Sequence, residues 1–390
     1  MNIAILCGVI LAGGQSSPPV ARSVTNAVGE VKRETLANAS QLVVECVPQA
    51  DRLVVVLTLS TEGQEDTPAT YGWRHLLEHL VARGPDGNLD TRIESQGMLL
   101  VPSTLRDASR FEVRGGPEQL NSALGFLGEL TGPLQATDAQ RETELRIMTE
   151  EFALISESSA AGTRAWRRVY GPTRMDPFGH PDTLARATLD DLDRLRRGLF
   201  VSNRMTLNIA GPGTVETMVK AGRDWLSKAP SPGFAAPTAT AEAGALPTIA
   251  SGLATSAALP VGAWDDPKAA ARLGAALALA DRAPDIDLIY TPARREGLII
   301  LVVPADGDLA GVLNVPDDEL AYRAQQAQRR LSAWLGFQMG TLERRTQFRG
   351  LLASLSRRGR PERLVEIFQN LKTADFLAAL RDWRRAEVGQ

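Results

Sequence analysis

The sequence predicts an α+β protein of two domains, each a sheet covered by helices. Its 390 residues exceed what one compact core holds, and 44% hydrophobic against 23% charged residues supply apolar material for two. Both halves carry strand-like and helical runs in loosely similar order, with no convincing sequence repeat between them. Between the halves, residues 228–248 are dense in Pro, Ala, Gly and Thr and lack apolar periodicity, the composition of a linker. The expected domains are therefore 34–227 and 249–390.

In chain order, Ile3 to Leu11 is apolar and is followed by Ala12-Gly13-Gly14, so residues 1–17 resemble a short secretory signal. The n-region Met1-Asn2 has no Lys or Arg, and Cys7 comes too early for a lipoprotein cysteine. The stretch favours an exported, periplasmic or secreted, chain over a cytoplasmic one and leaves both open. No run reaches the ~20 apolar residues of a membrane span, so no transmembrane anchor is expected. Residues 15–33 read as polar and poorly ordered. Leu42 to Val44 and Leu53 to Leu59 read as strands, and Trp73 to Arg83 as a helix stopped by Gly84-Pro85. A strand pair follows at Met98 to Thr104 and Arg110 to Arg114, then helices from Glu118 to Ser156 in two or three pieces. Met205 to Ala210 is a strand ended by Gly211-Pro212-Gly213, and Val215 to Ser227 a helix. Past the linker, strands are expected at Asp287 to Thr291 and Leu298 to Val303, with helices from Asp317 onward.

The net charge of -3 and the lack of a Lys/Arg-rich run exclude a general attraction to nucleic acid. Two cysteines cannot build a disulfide framework, and neither has metal-ligand spacing. Cys46 reads as a small core residue.

The chemistry lies in His75-Leu76-Leu77-Glu78-His79, which holds two of the chain's three histidines. At about 100° per residue, His75, Glu78 and His79 share one helix face, opposite Trp73, Leu76, Leu77, Leu80 and Val81. Two His one turn apart can share a Zn²⁺, and a Glu just before the second can reach a metal-bound water without ligating. The plain alternative is a solvated face on which Glu78 pairs with one His. A catalytic zinc needs a third protein ligand. His180 sits in a Pro/Gly loop and reads as structural or exposed. Glu144 and Glu151, two turns apart, fall among Leu145, Ile147, Met148, Phe152, Leu154 and Ile155, where a carboxylate is costly unless paired or metal-bound. Ion pairs to Arg146 or Arg164 are the structural alternative.

His75-x-x-Glu78-His79 followed by Glu144-x6-Glu151 resembles the inverted zinc motif of the pitrilysin/insulinase metallopeptidases, closest to their mitochondrial-processing-peptidase-like branch. Further likeness lies in Leu80-Val81-Ala82-Arg83-Gly84, in Ile93-Glu94-Ser95-Gln96-Gly97 and Thr104-x-Arg106-Asp107, matched to a strand region, and in Asn203-x-Met205-Thr206-Leu207 with Gly211. It covers residues 42–211 well and is weak beyond the linker. The resemblance implies two related αβ domains, each a mainly antiparallel sheet covered by helices, with 34–227 catalytic and 249–390 degenerate. It implies one Zn²⁺ per chain on His75, His79 and Glu151, Glu78 as the general base, and Glu144 orienting a ligand. The implied activity is hydrolysis of extended peptides or unfolded segments lying along the strand from Leu99 to Ser103.

Three features depart from the family. The interval from His79 to Glu151 is a few residues shorter, which leaves Glu150 as the alternative ligand. On the substrate edge strand, Val101-Pro102 stands where the family has Asn-Ala; Leu100 and Val101 are the expected substrate contacts. The Arg and Tyr that the family's later half brings to the substrate carbonyl match Arg282 and Tyr290, with the spacing off by about one. The expected partners are a peptide substrate and a homologous subunit, in a homo- or heterodimer, that would make good the weak second half. The competing readings are a non-catalytic peptide-binding scaffold subunit and a metal-dependent hydrolase of other substrates.

Overall fold

The computed structural model describes residues 9–11, 29–62, 66–232, 254–356 and 359–389. Runs of Leu, Val and Ile form two sheets, with strands numbered here along the chain. The first has the order β2 (Glu30–Thr35), β3 (Gln41–Cys46), β7 (Met205–Gly211), β4 (Leu53–Ser60), β6 (Ala108–Gly115), β5 (Leu99–Thr104). Only the β3–β7 pair is parallel. Consecutive β3 and β4 are not neighbours, because β7 returns to lie between them. β5 is left as an edge strand.

Side chains alternate across each strand. Leu42, Val44, Leu57, Phe111, Val113, Leu207 and Ile209 enter one core, shared with helices Trp73–Arg83, Leu120–Leu130 and Val215–Leu226. The alternate positions carry Glu45, Thr58, Glu112, Thr206 and Asn208, all buried. They are covered by the helix Leu342–Leu355, from the far half of the chain. Arg345 donates to Glu45 at 2.8 and 3.0 Å, and Arg349 also binds that carboxylate. Gly350 lets the helix lie flat on the sheet: a Cβ there would fall 2.8 Å from Thr58 Oγ1 and 2.9 Å from Asn208 Nδ2.

The second sheet is antiparallel, in the order β1 (Val9–Leu11), β9 (Asp287–Thr291), β10 (Gly297–Val303), β8 (Thr255–Val261), β11 (Glu387–Gly389). One face packs on helices Pro267–Ala280, Leu320–Met339 and Thr373–Arg384. The other packs Ala258, Ile289, Leu298 and Ile300 on Ala161, Ala165 and Trp166 of the helix Glu157–Tyr170, from the first half. Each sheet is thus covered by its own helices on one face and by a helix from the other half on the opposite face.

The α+β class with mainly antiparallel sheets is as the sequence predicts, and no described helix is long and apolar enough to cross a membrane. Several local expectations are corrected. Glu30 to Arg33 are strand, not disorder, because β2 pairs along its length with β3. Ile93 to Ser95 lie on the helix Leu89–Ser95 rather than on a strand. The strand β8 and the helices Pro267–Ala280, Glu157–Tyr170 and Leu189–Leu199 are additional to the elements that the sequence pattern predicts. Of the signal-like stretch only Val9–Leu11 is described, and residues 233–248 of the linker stretch lie outside the described residues.

Replacing Glu45 with Ala leaves Arg345 and Arg349 buried without their counter-charge. We expect a loss of about 3–5 kcal/mol in unfolding free energy. Urea denaturation checks this, and an unchanged midpoint would show that the pair does not clamp the halves.

Candidate metal centre

The helix Trp73–Arg83 is delimited by two left-handed glycines, Gly72 at φ 88° and Gly84 at φ 68°. Gly72 also meets the loop carrying Pro177 and Phe178: a Cβ on it would lie 2.3 Å from Gly179 Cα. Leu76, Leu77, Leu80 and Val81 anchor the helix in the first core, as predicted, and Glu78 is buried beside them. The helix Asp138–Ala153 starts from a Thr137/Gln140 capping box and lies against it. Its buried stripe is Glu144, Met148 and Glu151. The predicted apolar stripe is therefore corrected, since Ile147 is only half buried and Leu154 is 79% exposed. The two carboxylates point inward because His79, His75 and Arg83 meet them there.

His75 Nε2 and His79 Nε2 are 3.2 Å apart, and Glu151 Oε2 lies 3.7 and 3.6 Å from them. Among the described residues these three side chains form the one cluster able to hold a metal ion. Glu151 Oε2 is buried with no hydrogen-bond partner. A tetrahedral Zn²⁺ with bonds of about 2.0–2.2 Å separates its ligands by roughly 3.3–3.6 Å, so the spacing and the orphaned oxygen fit the ion. Glu150 is exposed, which removes it as the alternative ligand.

His79 Nδ1 faces Glu144 Oε2 at 2.9 Å, and Arg83 Nε donates to the other oxygen at 3.0 Å. A proton held on Nδ1 leaves the Nε2 lone pair directed at the cluster. Burial first, then the neighbouring His79, lowers the pKa of His75 to about 3, which keeps that imidazole neutral. Burial also opposes charge on His79, but the bond to Glu144 and the charges of Glu78, Glu151 and Glu144 outweigh it and raise its pKa. Burial disfavours ionisation of all three carboxylates. His79 and Arg83 overcome it at Glu144, whose pKa falls below the ordinary value. At Glu78 and Glu151 burial prevails and the pKa rises.

Glu78 is held by a residue to which the sequence pattern assigns no role, Thr104 at the end of β5, which donates to Oε2 at 2.6 Å. A second unassigned residue, Arg74, is buried and ties the metal helix to the turn after β5. It donates to the carbonyls of Leu105 (2.8 Å) and Arg106 (3.1 Å) and pairs with Asp66 (3.0 Å). A polar residue on the apolar side of an amphipathic helix was the available signal. His180 is structural, as expected: it caps the short helix Pro181–Leu184 and packs edge-on against Phe152. Neither Arg146 nor Arg164 pairs with Glu144 or Glu151.

Leu100 and Val101 lie half-buried on the edge strand β5. Arg282 does not join the site. It follows the helix Pro267–Ala280, and its guanidinium satisfies the carbonyl of Val312 at 2.9 Å. Tyr290 packs in the second core, its ring 6.0 Å from Trp334, while also forming part of the wall of a cavity between the halves.

No family model matches the chain. It is 22% identical over 217 residues to a probable mitochondrial-processing peptidase subunit beta from Schizosaccharomyces pombe, an alignment covering 52% of this chain and 46% of that protein. The chain thus spans about half the length of this curated relative. A protease from Helicobacter pylori has a similar structure, with TM-score 0.72 and 14% identity over 91% of this chain and 96% of that one. So does a peptidase M16 inactive domain from Pseudomonas fluorescens, with TM-score 0.67 and 14% identity over 92% and 95%. Fold and site together define an M16, pitrilysin/insulinase-like zinc-metallopeptidase fold, with His75-x-x-Glu78-His79 and a distal Glu151. Within that class the chain is related to the mitochondrial-processing-peptidase-like branch.

Glu144 orients His79 without belonging to the ligand cluster. Glu144→Gln is expected to weaken zinc affinity about 10–100-fold while retaining one site. Competition with a chelator measures this, and an unchanged affinity would remove the orienting role.

Proposed function

We propose that the chain is a zinc-dependent endopeptidase acting on extended peptides or unfolded segments. The observation that supports this best is the meeting of the orphaned Glu151 oxygen with two imidazole Nε2 atoms beside a buried, Thr104-held Glu78. The same fold occurs in a protease and in an inactive domain, so the reading rests on these residues rather than on the architecture.

His75, His79 and Glu151 would hold the metal. When bound, Zn²⁺ supplies a Lewis acid for the scissile carbonyl and lowers the pKa of a water toward ~7. Glu78 takes a proton from the attacking water and returns it to the leaving amine. Its raised pKa suits that exchange, because a carboxyl group that binds protons more tightly is the better acceptor. Thr104 fixes the carboxylate for both transfers. The edge strand β5 offers its free side to an extended peptide, with Leu100 and Val101 in contact and Pro102 contributing no amide donor.

The placement of Arg282, whose guanidinium is taken by the Val312 carbonyl, favours a homologous partner chain that supplies a group to the substrate carbonyl. A scaffold subunit is the second reading, and the retained Glu78 speaks against it, since peptide binding alone needs no base.

Zinc content and peptide hydrolysis of the parent chain and of Glu78→Gln test the proposal. We expect one zinc per chain in both proteins, with the rate falling at least about 10²–10⁴-fold in the variant. Removing zinc with a chelator should abolish hydrolysis, and re-addition restore it. Zinc without hydrolysis in the parent chain would point to a missing partner, whereas no zinc in either protein would favour the scaffold.

A further inference from the structure

The cavity between the two halves measures about 320 Å³, at the lower end of the roughly 300–1,000 Å³ usual for ligand pockets. Leu105 and Phe178 wall one side, and Ile289, Ile300, Phe348 and Leu351 the other. It adjoins the metal centre, because the carbonyls of Phe178 and Pro177 lie against the His75 ring and Leu105 follows the Thr104 that holds Glu78.

Two buried donors on its walls lack acceptors. Arg110, 8% exposed, reaches Ser103 Oγ through Nη2 at 3.1 Å, while its Nε is buried without a partner. Gln338, 7% exposed, has an equally unpartnered Nε2. The nearby carboxylates are engaged elsewhere. Glu112 binds Arg114 and Gln347, and Glu78 accepts from Thr104. Asp107 is paired with Arg174 at 2.5 Å. Asp176 accepts from Tyr71 (2.8 Å), Thr163 (2.7 Å) and the Phe178 amide (3.1 Å). Of the three lining arginines, Arg106 faces the charge of Asp176, and Arg344, exposed and 3.8 Å over the Phe337 ring, adds its positive charge to that of Arg110. Buried donors are normally satisfied. Two donors and surplus positive charge call for an anionic acceptor, and the planar guanidinium fork favours a carboxylate.

We propose that this cavity is a substrate subsite for a bulky apolar side chain with an adjacent peptide carboxylate, which Arg110 and Gln338 hold. The proposal rests on the peptidase reading above. A peptide added to β5 sends successive side chains to opposite faces. Thr104 faces Glu78, and its neighbour Ser103 faces Arg110, so one substrate side chain enters the cavity while the next faces the metal centre. The carboxylate comes from an acidic side chain or from the peptide's C-terminus, and basic neighbours are repelled by both arginines.

Fluorescence anisotropy on the full-length Glu78→Gln chain reads binding without cleavage. The probes are short labelled peptides with phenylalanine next to Glu, Gln or Lys, each as free acid and as C-terminal amide. The Glu peptide is expected to bind about tenfold or more tighter than the Lys peptide. A Glu preference that survives amidation makes the side chain the ligand, and free acids that bind tighter than their own amides whatever residue adjoins the phenylalanine make it the C-terminus. Arg110→Gln should reduce the preference to about threefold or less, and Arg110→Lys should restore part of it. Should Arg110→Gln fail to fold, Gln338→Leu and Arg344→Gln carry the test, each weakening the Glu peptide selectively. Equal binding of all peptides, or a preference unchanged in these variants, overturns the subsite. Charge-selective binding by a parent chain that neither holds zinc nor hydrolyses peptides keeps the cavity as a peptide site and removes the peptidase reading. Hydrolysis without charge preference does the reverse.

Discussion

Glu45 is the fixed point of the molecule: a carboxylate buried on a sheet face and neutralised by two guanidiniums from the other half of the chain. A buried ion can be left unpaired only at a cost of several kcal/mol, so the helix bearing Arg345 and Arg349 has one place to go. Gly350 then settles that helix onto Thr58 and Asn208 at backbone contact. The same helix brings Phe348 and Leu351 over the first sheet and so builds one wall of the inter-half cavity. The reciprocal helix, Glu157–Tyr170, covers the second sheet with Ala161, Ala165 and Trp166. Two covalently distant helices therefore set the spacing of the halves.

Within that frame the metal centre concentrates acceptors. Three carboxylates and two imidazoles converge where burial disfavours charge, and local partners divide their roles. Glu144 stays ionised because His79 and Arg83 bind it, whereas Glu151 keeps a bare oxygen beside both Nε2 atoms. Glu78, on the same helix as both histidines, is drawn aside by Thr104. The separation of base from ligands thus comes from β5, the strand that would also receive the substrate. Arg74 reinforces this link by gripping two carbonyls at the end of that strand.

Local chemistry made much of this legible in the sequence. The Leu/Val runs of β3, β4, β9 and β10, and the glycine-bounded helix Trp73–Arg83, follow from short-range pattern. So does the shared face of His75, Glu78 and His79, since a helical period places them together wherever the helix lies. Glu144 and Glu151 stood out by their seven-residue spacing on one stripe. The strand β8 was illegible because Ser256, Ala257, Ala258 and Pro260 have weak strand preference and the strand is defined by its pairing with β10. β2 was likewise hidden, a polar strand defined by its register with β3.

Tertiary structure alone decided which of the adjacent glutamates, 150 or 151, turns inward, because a helix face has no meaning until another helix covers it. It also took Arg282 away from the site, to the carbonyl of Val312, and gave Arg74, Thr104 and Arg110 roles that their neighbours in sequence do not suggest. The sequence by itself determined the ligand types, their helical spacing and the α+β class, all of which depend on residues a few positions apart. The meeting of those helices, the exchange across the halves and the charged cavity depend on contacts between residues as far as 300 positions or more apart, such as Glu45 with Arg345 and Arg349. No local pattern encodes those contacts; burial and charge neutralisation fix them only once the whole chain has folded.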